Sequence, residues 1–98
     1  MRLDLFLKKT RLVRQRQMAK ALCDGGAVHV NDRCAKPSQE VRPGDRIRLQ
    51  LPRRDLEVRV LELPQGNVSR RTAPEFVETL QDTPADRLGR VFEDMEED

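Results

Sequence analysis

A chain of 98 residues, of which 37% are hydrophobic and 37% charged, can bury the core of one small domain. No apolar run approaches the ~20 residues of a membrane span, and no apolar stretch of a signal peptide follows the basic start, so we expect a cytoplasmic protein without a membrane anchor. The charge is uneven, since residues 1–60 carry a net +8 and residues 61–98 a net −6. We expect a basic domain, residues 1–63, and an acidic C-terminal appendage, residues 64–98, which is in part disordered.

Two short amphipathic helices are predicted at the start of the chain. Residues spaced three and four apart place one face of each helix toward a core. The second helix starts at about Gln15 and ends at Asp24-Gly25-Gly26, because glycine accepts the left-handed backbone at a helix C-terminus. The residues predicted to face the core are Leu3, Phe6, Leu7 and Thr10 in the first helix and Ala19, Leu22 and Cys23 in the second.

The spacing of the apolar residues then becomes alternating, which predicts strands. The predicted strands cover residues 27–30, 33–35, 46–51 and 56–63. Asn31-Asp32 forms a two-residue turn between the first two strands, since both side chains tolerate positive φ. Pro43-Gly44 forms a second tight turn, because proline fixes φ at its first corner and glycine suits its second. Together these elements predict an α+β domain.

Two further short helices are predicted in the acidic segment. Thr72 stands three residues before Glu75, the spacing of a capping box, and Pro74 suits the first helical turn. A second helix is predicted from Thr83-Pro84. The apolar stripes of these two helices are Phe76, Val77 and Leu80, and Leu88, Val91, Phe92 and Met95.

The sequence carries no recognisable catalytic motif. Glycine-rich phosphate loops, the HExxH zinc-protease motif and the GxSxG nucleophile motif are all absent. The two cysteines, Cys23 and Cys34, are eleven positions apart and His29 is the single histidine, whereas a zinc site needs about four ligands at closer spacing. We therefore expect no enzyme activity, no metal site and no cofactor, and we expect Cys23 to be a small core residue.

The basic residues are concentrated at one end of the chain. Seven of the first twenty residues are Lys or Arg, and Asp4 is the one acidic residue among them. Because these cations are interleaved with apolar residues at helical spacing, they form one face of a folded element that suits a polyanion. The three aromatic residues, Phe6, Phe76 and Phe92, all occupy apolar stripes and cannot stack on unpaired bases. The sequence therefore favours folded RNA, contacted through its phosphates.

An ordered set of residues within about positions 1–51 resembles the S-four RNA-binding domain family. These residues are Arg2-Leu3-Asp4, Arg16 with Ala19 and Leu22, Gly26-x-Val28-x-Val30-Asn31, Lys36-Pro37, and Val41 with Gly44-Asp45. The resemblance implies two N-terminal helices packed on a small, mostly antiparallel sheet, and binding of structured RNA by the face of the two helices. Two positions depart from the family: Gln15 replaces a capping serine, and Asp32 replaces the glycine of an Asn-Gly turn, so we expect a weaker helix start and a weaker turn.

Within this family, the small stand-alone members of ribosome-associated quality control are the most similar. The shared residues are Met1-Arg2-Leu3-Asp4, Phe6-Leu7-Lys8, Arg11-Leu12-Val13 and Ala19-Lys20. This resemblance implies a non-catalytic protein that binds the rRNA of the large ribosomal subunit and tRNA on stalled nascent-chain complexes, beside other quality-control proteins. We also expect a monomer.

Two alternatives remain open. Gly25-Gly26-x-Val28-His29 and Lys36-Pro37-Ser38 are similar to the heat-shock rescue group of the family, which holds peptidyl-tRNA on free large subunits. That group carries a long basic C-terminal extension, whereas this chain ends in an acidic segment. The other alternative is an adaptor that docks a protein partner through the predicted C-terminal helices.

The resemblance carries candidate RNA contacts to the matching positions of this chain. The first group, on the two helices and their link, is Arg2, Lys8, Arg11, Arg14, Arg16 and Lys20, and the second group, on the hairpin, is Arg33 and Lys36. Arg16 and Lys20 share one helix face because they are four residues apart, which makes Arg16 the strongest candidate. We expect Asp4 to orient Arg2 and not to contact RNA itself.

Overall fold

Two helices pack on one face of a five-stranded sheet in the computed structural model, which describes residues 1–86. The helices are α1 (Leu3–Lys9) and α2 (Arg16–Asp24). The strands are β1 (Val28–Val30), β2 (Arg33–Cys34), β3 (Arg46–Gln50), β4 (Arg54–Val60) and β5 (Val77–Pro84). Within this part of the chain every strand pairing is antiparallel, and the strands lie in the order β2-β1-β3-β4-β5. The predicted α+β fold with two N-terminal helices is confirmed.

The core lies between the helices and the inner face of the sheet. Alternate residues of the strands point inward, so Val28, Ile47, Leu49 and Val58 are completely buried. Phe6 of α1 is also completely buried and belongs to the same cluster. The predicted core residues Leu3, Leu7, Thr10, Ala19 and Cys23 are buried as well.

The two predicted turns are confirmed, and side chains join them to each other. Asn31 and Asp32 have φ angles of 51° and 69°, as the two-residue turn requires, and Gly44 has a φ of 96°. Asn31 Nδ2 donates to Asp45 Oδ1 at 3.1 Å, and the Arg46 N–H donates to Asn31 Oδ1 at 2.9 Å. The turn between β1 and β2 is therefore held against the start of β3.

The carboxylate of Asp32 offsets part of the conformational cost of its positive φ. Arg46 Nη2 donates a hydrogen bond to Asp32 Oδ2 at 2.8 Å, and Arg48 Nη1 lies 3.9 Å from Oδ1. Both arginines alternate with buried residues of β3, so they point to the outer face of the sheet, away from the helices. The negative charge of Asp32 is thus directed at two arginines and not at α1 or α2.

The prediction of a helix that starts at Thr72 is wrong. Residues Ala73–Phe76 form one turn of 3₁₀-helix, and β5 follows directly. The Thr72 side chain makes no capping hydrogen bond, and its hydroxyl instead lies 3.0 Å from Ser69 Oγ. Leu80, which helical spacing assigns to a buried stripe, is 38% exposed on β5. Backbone pairing with the edge of β4 outweighs the local helix signals, because an unpaired strand edge offers a row of free hydrogen-bonding groups.

The residues at which the second tail helix is predicted to start belong to β5. Thr83 and Pro84, where that helix was expected to begin, are the last residues of the strand and pair with Asp55 and Arg54 of β4. The remainder of this predicted helix, including its apolar stripe, lies in residues 87–98, outside the described residues. The sheet therefore extends into the segment that we expected to be an appendage.

Candidate nucleic-acid interface

The arginines of β3 and β4 are paired with carboxylates. The salt bridges on the sheet join Arg46 to Asp32 and Glu57, Arg48 to Asp32, Arg54 to Asp82, and Arg59 to Glu78. Such exposed pairs contribute little to stability, but those of Arg46, Arg48 and Arg59, which alternate with buried residues, lower the positive potential of the outer face of the sheet. That face is therefore poorly suited to a polyanion.

The cations of the two helices have few such partners. Within residues 1–86, five cations of the helices and their link have no carboxylate within 4.0 Å. They are Lys8, Lys9, Arg11, Arg14 and Lys20. Arg2 and Arg16 are paired, but both with the single carboxylate of Asp4. The face of α1 and α2 therefore retains most of its positive charge.

Asp4 is the buried centre of this face, with a side chain only 3% exposed. Arg2 donates to its two oxygens through Nε and Nη2, both at 3.3 Å, and Arg16 Nε lies 3.4 Å from Oδ2. The Leu5 N–H donates to Oδ1 at 2.8 Å. Arg2 and Arg16, the arginine pair, are each 47% exposed and keep N–H groups for solvent, while exposed Lys20 follows one turn after Arg16. The expected orientation of Arg2 by Asp4 is confirmed.

The ionisation of Asp4 depends on these contacts. Burial raises the pKa of its carboxyl, but hydrogen bonds from Arg2, Arg16 and the Leu5 N–H lower it by more, so the pKa lies below its ordinary value of 3.8. Asp4 is therefore a carboxylate at neutral pH and holds the arginine pair throughout the physiological range.

The two hairpin candidates lie in different places. Pro37 O accepts a hydrogen bond from the Asp4 N–H at 3.1 Å, which places the backbone of the neighbouring Lys36 near the N-terminal end of α1. Arg33 lies on the edge strand β2, opposite Val30. Arg33 is exposed there, at the edge of the sheet and outside the two helices and their link, which carry the first group of candidates.

A second group of cations surrounds a cleft at the C-terminal end of α1. The cleft, of about 870 Å³, lies between this end of α1, the link to α2 and residues 67–70. We call it the basic cleft; its cationic lining residues are Lys8, Lys9, Arg11, Arg14 and Arg70, and none of its lining residues is acidic. Three of the predicted contacts, Lys8, Arg11 and Arg14, therefore meet here and not at the arginine pair.

Two lining residues, Lys9 and Arg70, were not among the predicted contacts. Lys9 Nζ donates to Gly66 O at 2.8 Å, and Arg11 Nε donates to Val68 O at 3.1 Å, so both cations also attach a distant segment to α1. The sequence signal for that segment is the basic pair Arg70-Arg71 within the second part of the chain, which has a net negative charge.

Other kinds of site have no counterpart in the described part of the chain. Within residues 1–86, no helix has the length and apolar character that a membrane span requires. In the same residues, no group of three His, Cys, Asp or Glu side chains is placed to hold a metal ion. The unpaired cations therefore remain the distinctive chemical feature of residues 1–86.

A known family and several relatives match this chain. Residues 1–47, which contain both helices and the first two strands, match the S4 domain. An RQC P-site tRNA stabilizing factor of Helicobacter pylori is 44% identical over 64 residues, which are 65% of this chain and 76% of that protein. The protein of the same name from Bacillus subtilis is 41% identical over 63 residues, 64% of this chain and 73% of that protein.

A solved structure matches a longer part of the chain. The trimeric structure of heat shock protein 15 from Vibrio cholerae superimposes with a TM-score of 0.76 at 26% identity, over 81% of this chain and 80% of that one. Together with the match of residues 1–47, these similarities confirm the family inferred from the sequence. The chain belongs to the S4 domain family, together with its relatives among the RQC P-site tRNA stabilizing factors.

Proposed function

We propose that this chain binds structured RNA through the face of α1 and α2, and that it stabilises a tRNA on the large ribosomal subunit during quality control of stalled nascent chains. Relatives named RQC P-site tRNA stabilizing factor support the choice of tRNA. The cations of α1, α2 and their link support phosphate contacts, which dominate the recognition of A-form RNA. The chain acts by binding alone, as a cytoplasmic monomer without a catalytic step or a cofactor.

The arginine pair is the centre of the proposed contact. Arg16 reaches Asp4 through Nε, which leaves its two terminal amino groups for a bidentate contact with a phosphate. Because Asp4 already orders both guanidinium groups, less side-chain entropy is lost when RNA binds. Lys20, one turn further along α2, and Lys36, at the N-terminal end of α1, add charge on either side.

The remaining candidates extend this contact along α1. Lys8 lies six residues after Arg2, which corresponds to about 9 Å along α1, and Arg11 and Arg14 line the same cleft as Lys8 at the far end of the helix. That separation allows the face to contact two adjoining RNA segments at the same time. The proposed mechanism is a phosphate clamp that holds an rRNA helix and a tRNA stem together.

The observation that carries the proposal is the contrast in ion pairing between the helix face and the sheet. Arg16 and Arg54 are almost equally exposed, at 47% and 46%, and each contacts one carboxylate, but Arg16 shares that of Asp4 with Arg2, whereas Arg54 on the sheet pairs with Asp82 alone. Arg16→Ala should weaken binding to large ribosomal subunits that carry tRNA by roughly 10- to 100-fold at fixed salt. Arg54→Ala, the matched control, should bind like the wild type. Equal effects of the two substitutions, in variants with native circular dichroism, would refute the proposed face.

A rescue function is the second candidate, favoured by the structural similarity to heat shock protein 15. A reconstituted assay of C-terminal tailing on stalled large subunits separates the two functions. Stimulation of tail addition supports quality control, whereas binding without stimulation supports rescue. The adaptor alternative stays a prediction, because its docking stripe, Leu88, Val91, Phe92 and Met95, lies outside the described residues.

A further inference from the structure

The segment of residues 66–70 contributes Asn67, Val68, Ser69 and Arg70 to one wall of the basic cleft, and it lies beyond the part of the chain that matches the S4 domain. Two cations attach this wall to the end of α1. Lys9 Nζ donates to Gly66 O at 2.8 Å, and Arg11 Nε donates to Val68 O at 3.1 Å. Val68 itself is buried, at 9% exposure, so its side chain anchors the middle of the segment.

The wall is also fixed at its far end. Ser69 O accepts hydrogen bonds from the N–H groups of Thr72 at 3.2 Å and Ala73 at 2.9 Å, and Ala73 is buried. Arg70 follows Ser69 directly as an exposed side chain on this anchored backbone. Within residues 1–86 it makes no hydrogen bond or salt bridge, so its guanidinium group is available to a ligand.

The charge of the basic cleft requires a counter-charge from outside. Lys9 and Arg11 donate to carbonyl oxygens, which do not neutralise a positive charge. Since no lining residue is acidic, the five cations repel one another until solvent ions or a bound polyanion neutralise them. The apolar lining residues, Leu5, Val13 and Val68, are aliphatic, so the cleft offers no aromatic surface for base stacking. These features suit a sugar–phosphate backbone.

We propose that residues 66–70 are a second wall of the RNA-binding face, and that Arg70, across the basic cleft from Lys8 and Arg14, contacts the sugar–phosphate backbone of one RNA strand. This inference rests on the proposed function, since it extends the same face. Arg70 is then an RNA contact from outside the S4 domain. The C-terminal end of α1 has RNA-binding side chains on both sides of the basic cleft.

The substitution Arg70→Ala tests the second wall. Arg53→Ala is the matched control, because Arg53 is an exposed arginine in the turn between β3 and β4 and does not line the basic cleft. Binding of a fluorescently labelled bacterial tRNA is measured by anisotropy at several salt concentrations. Arg70→Ala should lower the affinity about fivefold to tenfold at about 0.1 M salt and should reduce the log–log salt slope by about one contact. Arg53→Ala should change neither quantity.

Charge reversal and competition complete the test. Arg70→Glu should weaken binding more than Arg70→Ala, and circular dichroism establishes that both variants are folded. Competition by millimolar AMP would indicate a small-ligand pocket and overturn the proposal. Unchanged affinity and salt slope in both Arg70 variants would also overturn it, while a loss in Arg16→Ala would leave the proposed function standing. Absence of tRNA binding by the wild type would overturn both.

Discussion

Replacement of Asp4 by asparagine should destabilise the fold by about 2 kcal/mol at neutral pH. Asparagine Oδ1 can still accept the hydrogen bond from the Leu5 N–H, so the loss falls on the two arginine contacts. A buried hydrogen bond to a charged group contributes about 1.5–3 kcal/mol, and an exposed ion pair less than about 1 kcal/mol. Because Asp4 is 3% exposed and each guanidinium group 47%, we assign about 1 kcal/mol to each contact. The expected fall in Tm is roughly 10 °C.

This loss should depend on pH, because the pKa of Asp4 is lowered in the folded state. The stability that such a group contributes is fully present above its unfolded pKa, 3.8, and is lost as the pH falls through the lower folded pKa. In urea unfolding, the wild type and Asp4→Asn should differ by a constant amount above about pH 5 and converge as the pH falls through the lowered folded pKa of Asp4. Asp24→Asn is the control, since Asp24 is exposed and makes no salt bridge within residues 1–86. If the free energies of unfolding of the wild type and Asp4→Asn differ equally at low and at neutral pH, the role of these ion pairs is refuted.

Three further predictions concern the cysteines, the β1–β2 turn and β5. Cys34 is exposed, whereas burial raises the pKa of the Cys23 thiol to about 11. A thiol reagent at about pH 8 should therefore label one cysteine in the native protein and both in urea. Rapid labelling of both thiols in the native protein would contradict this. Asp32→Gly loses the exposed pair with Arg46 but relieves a positive φ, so stability should rise by less than about 1 kcal/mol in urea unfolding, and a clear loss would disprove it. Because Leu80 is exposed on β5, Leu80→Thr should change the free energy of unfolding by less than about 0.5 kcal/mol. A larger loss would indicate that Leu80 belongs to a buried helical stripe.

The fold of the first sixty residues was predictable because local pattern and tertiary packing agree there. Ile47 and Leu49 alternate with charged residues, and both are completely buried. Asn31 and Asp32 tolerate the positive φ that the turn imposes. The residues matched to the S-four family also lie in this part of the chain, so the resemblance and the periodicity supported the same fold.

The prediction failed where local and long-range interactions conflict. Thr72, Pro74 and Glu75 are ordinary signals of a helix start, and one turn of 3₁₀-helix does form beside them. The strand β4 has only one neighbour without β5, and pairing with residues 77–84 satisfies its second edge. The need to pair the second edge of β4 arises in the completed sheet, and the spacing of Phe76, Val77 and Leu80 does not indicate it.

The candidate site was predictable in part for a similar reason. The arginine pair depends on Asp4, an acidic residue that stands out within a basic segment, and its contact with Arg2 was expected. The basic cleft depends on Lys9 and Arg11, which bind backbone carbonyl groups 57 positions further along the chain. A carbonyl acceptor has no side-chain signature, so the sequence does not indicate that these residues meet.

The central claim is that the cations of the α1 and α2 face bind RNA phosphates. The most direct measurement is the affinity of the wild-type chain for large ribosomal subunits that carry tRNA, determined from low to high salt. Each phosphate contact contributes about −0.7 to −0.9 to the log–log slope, so about four or more contacts predict a slope steeper than roughly −3. A slope near zero would contradict phosphate binding by this face.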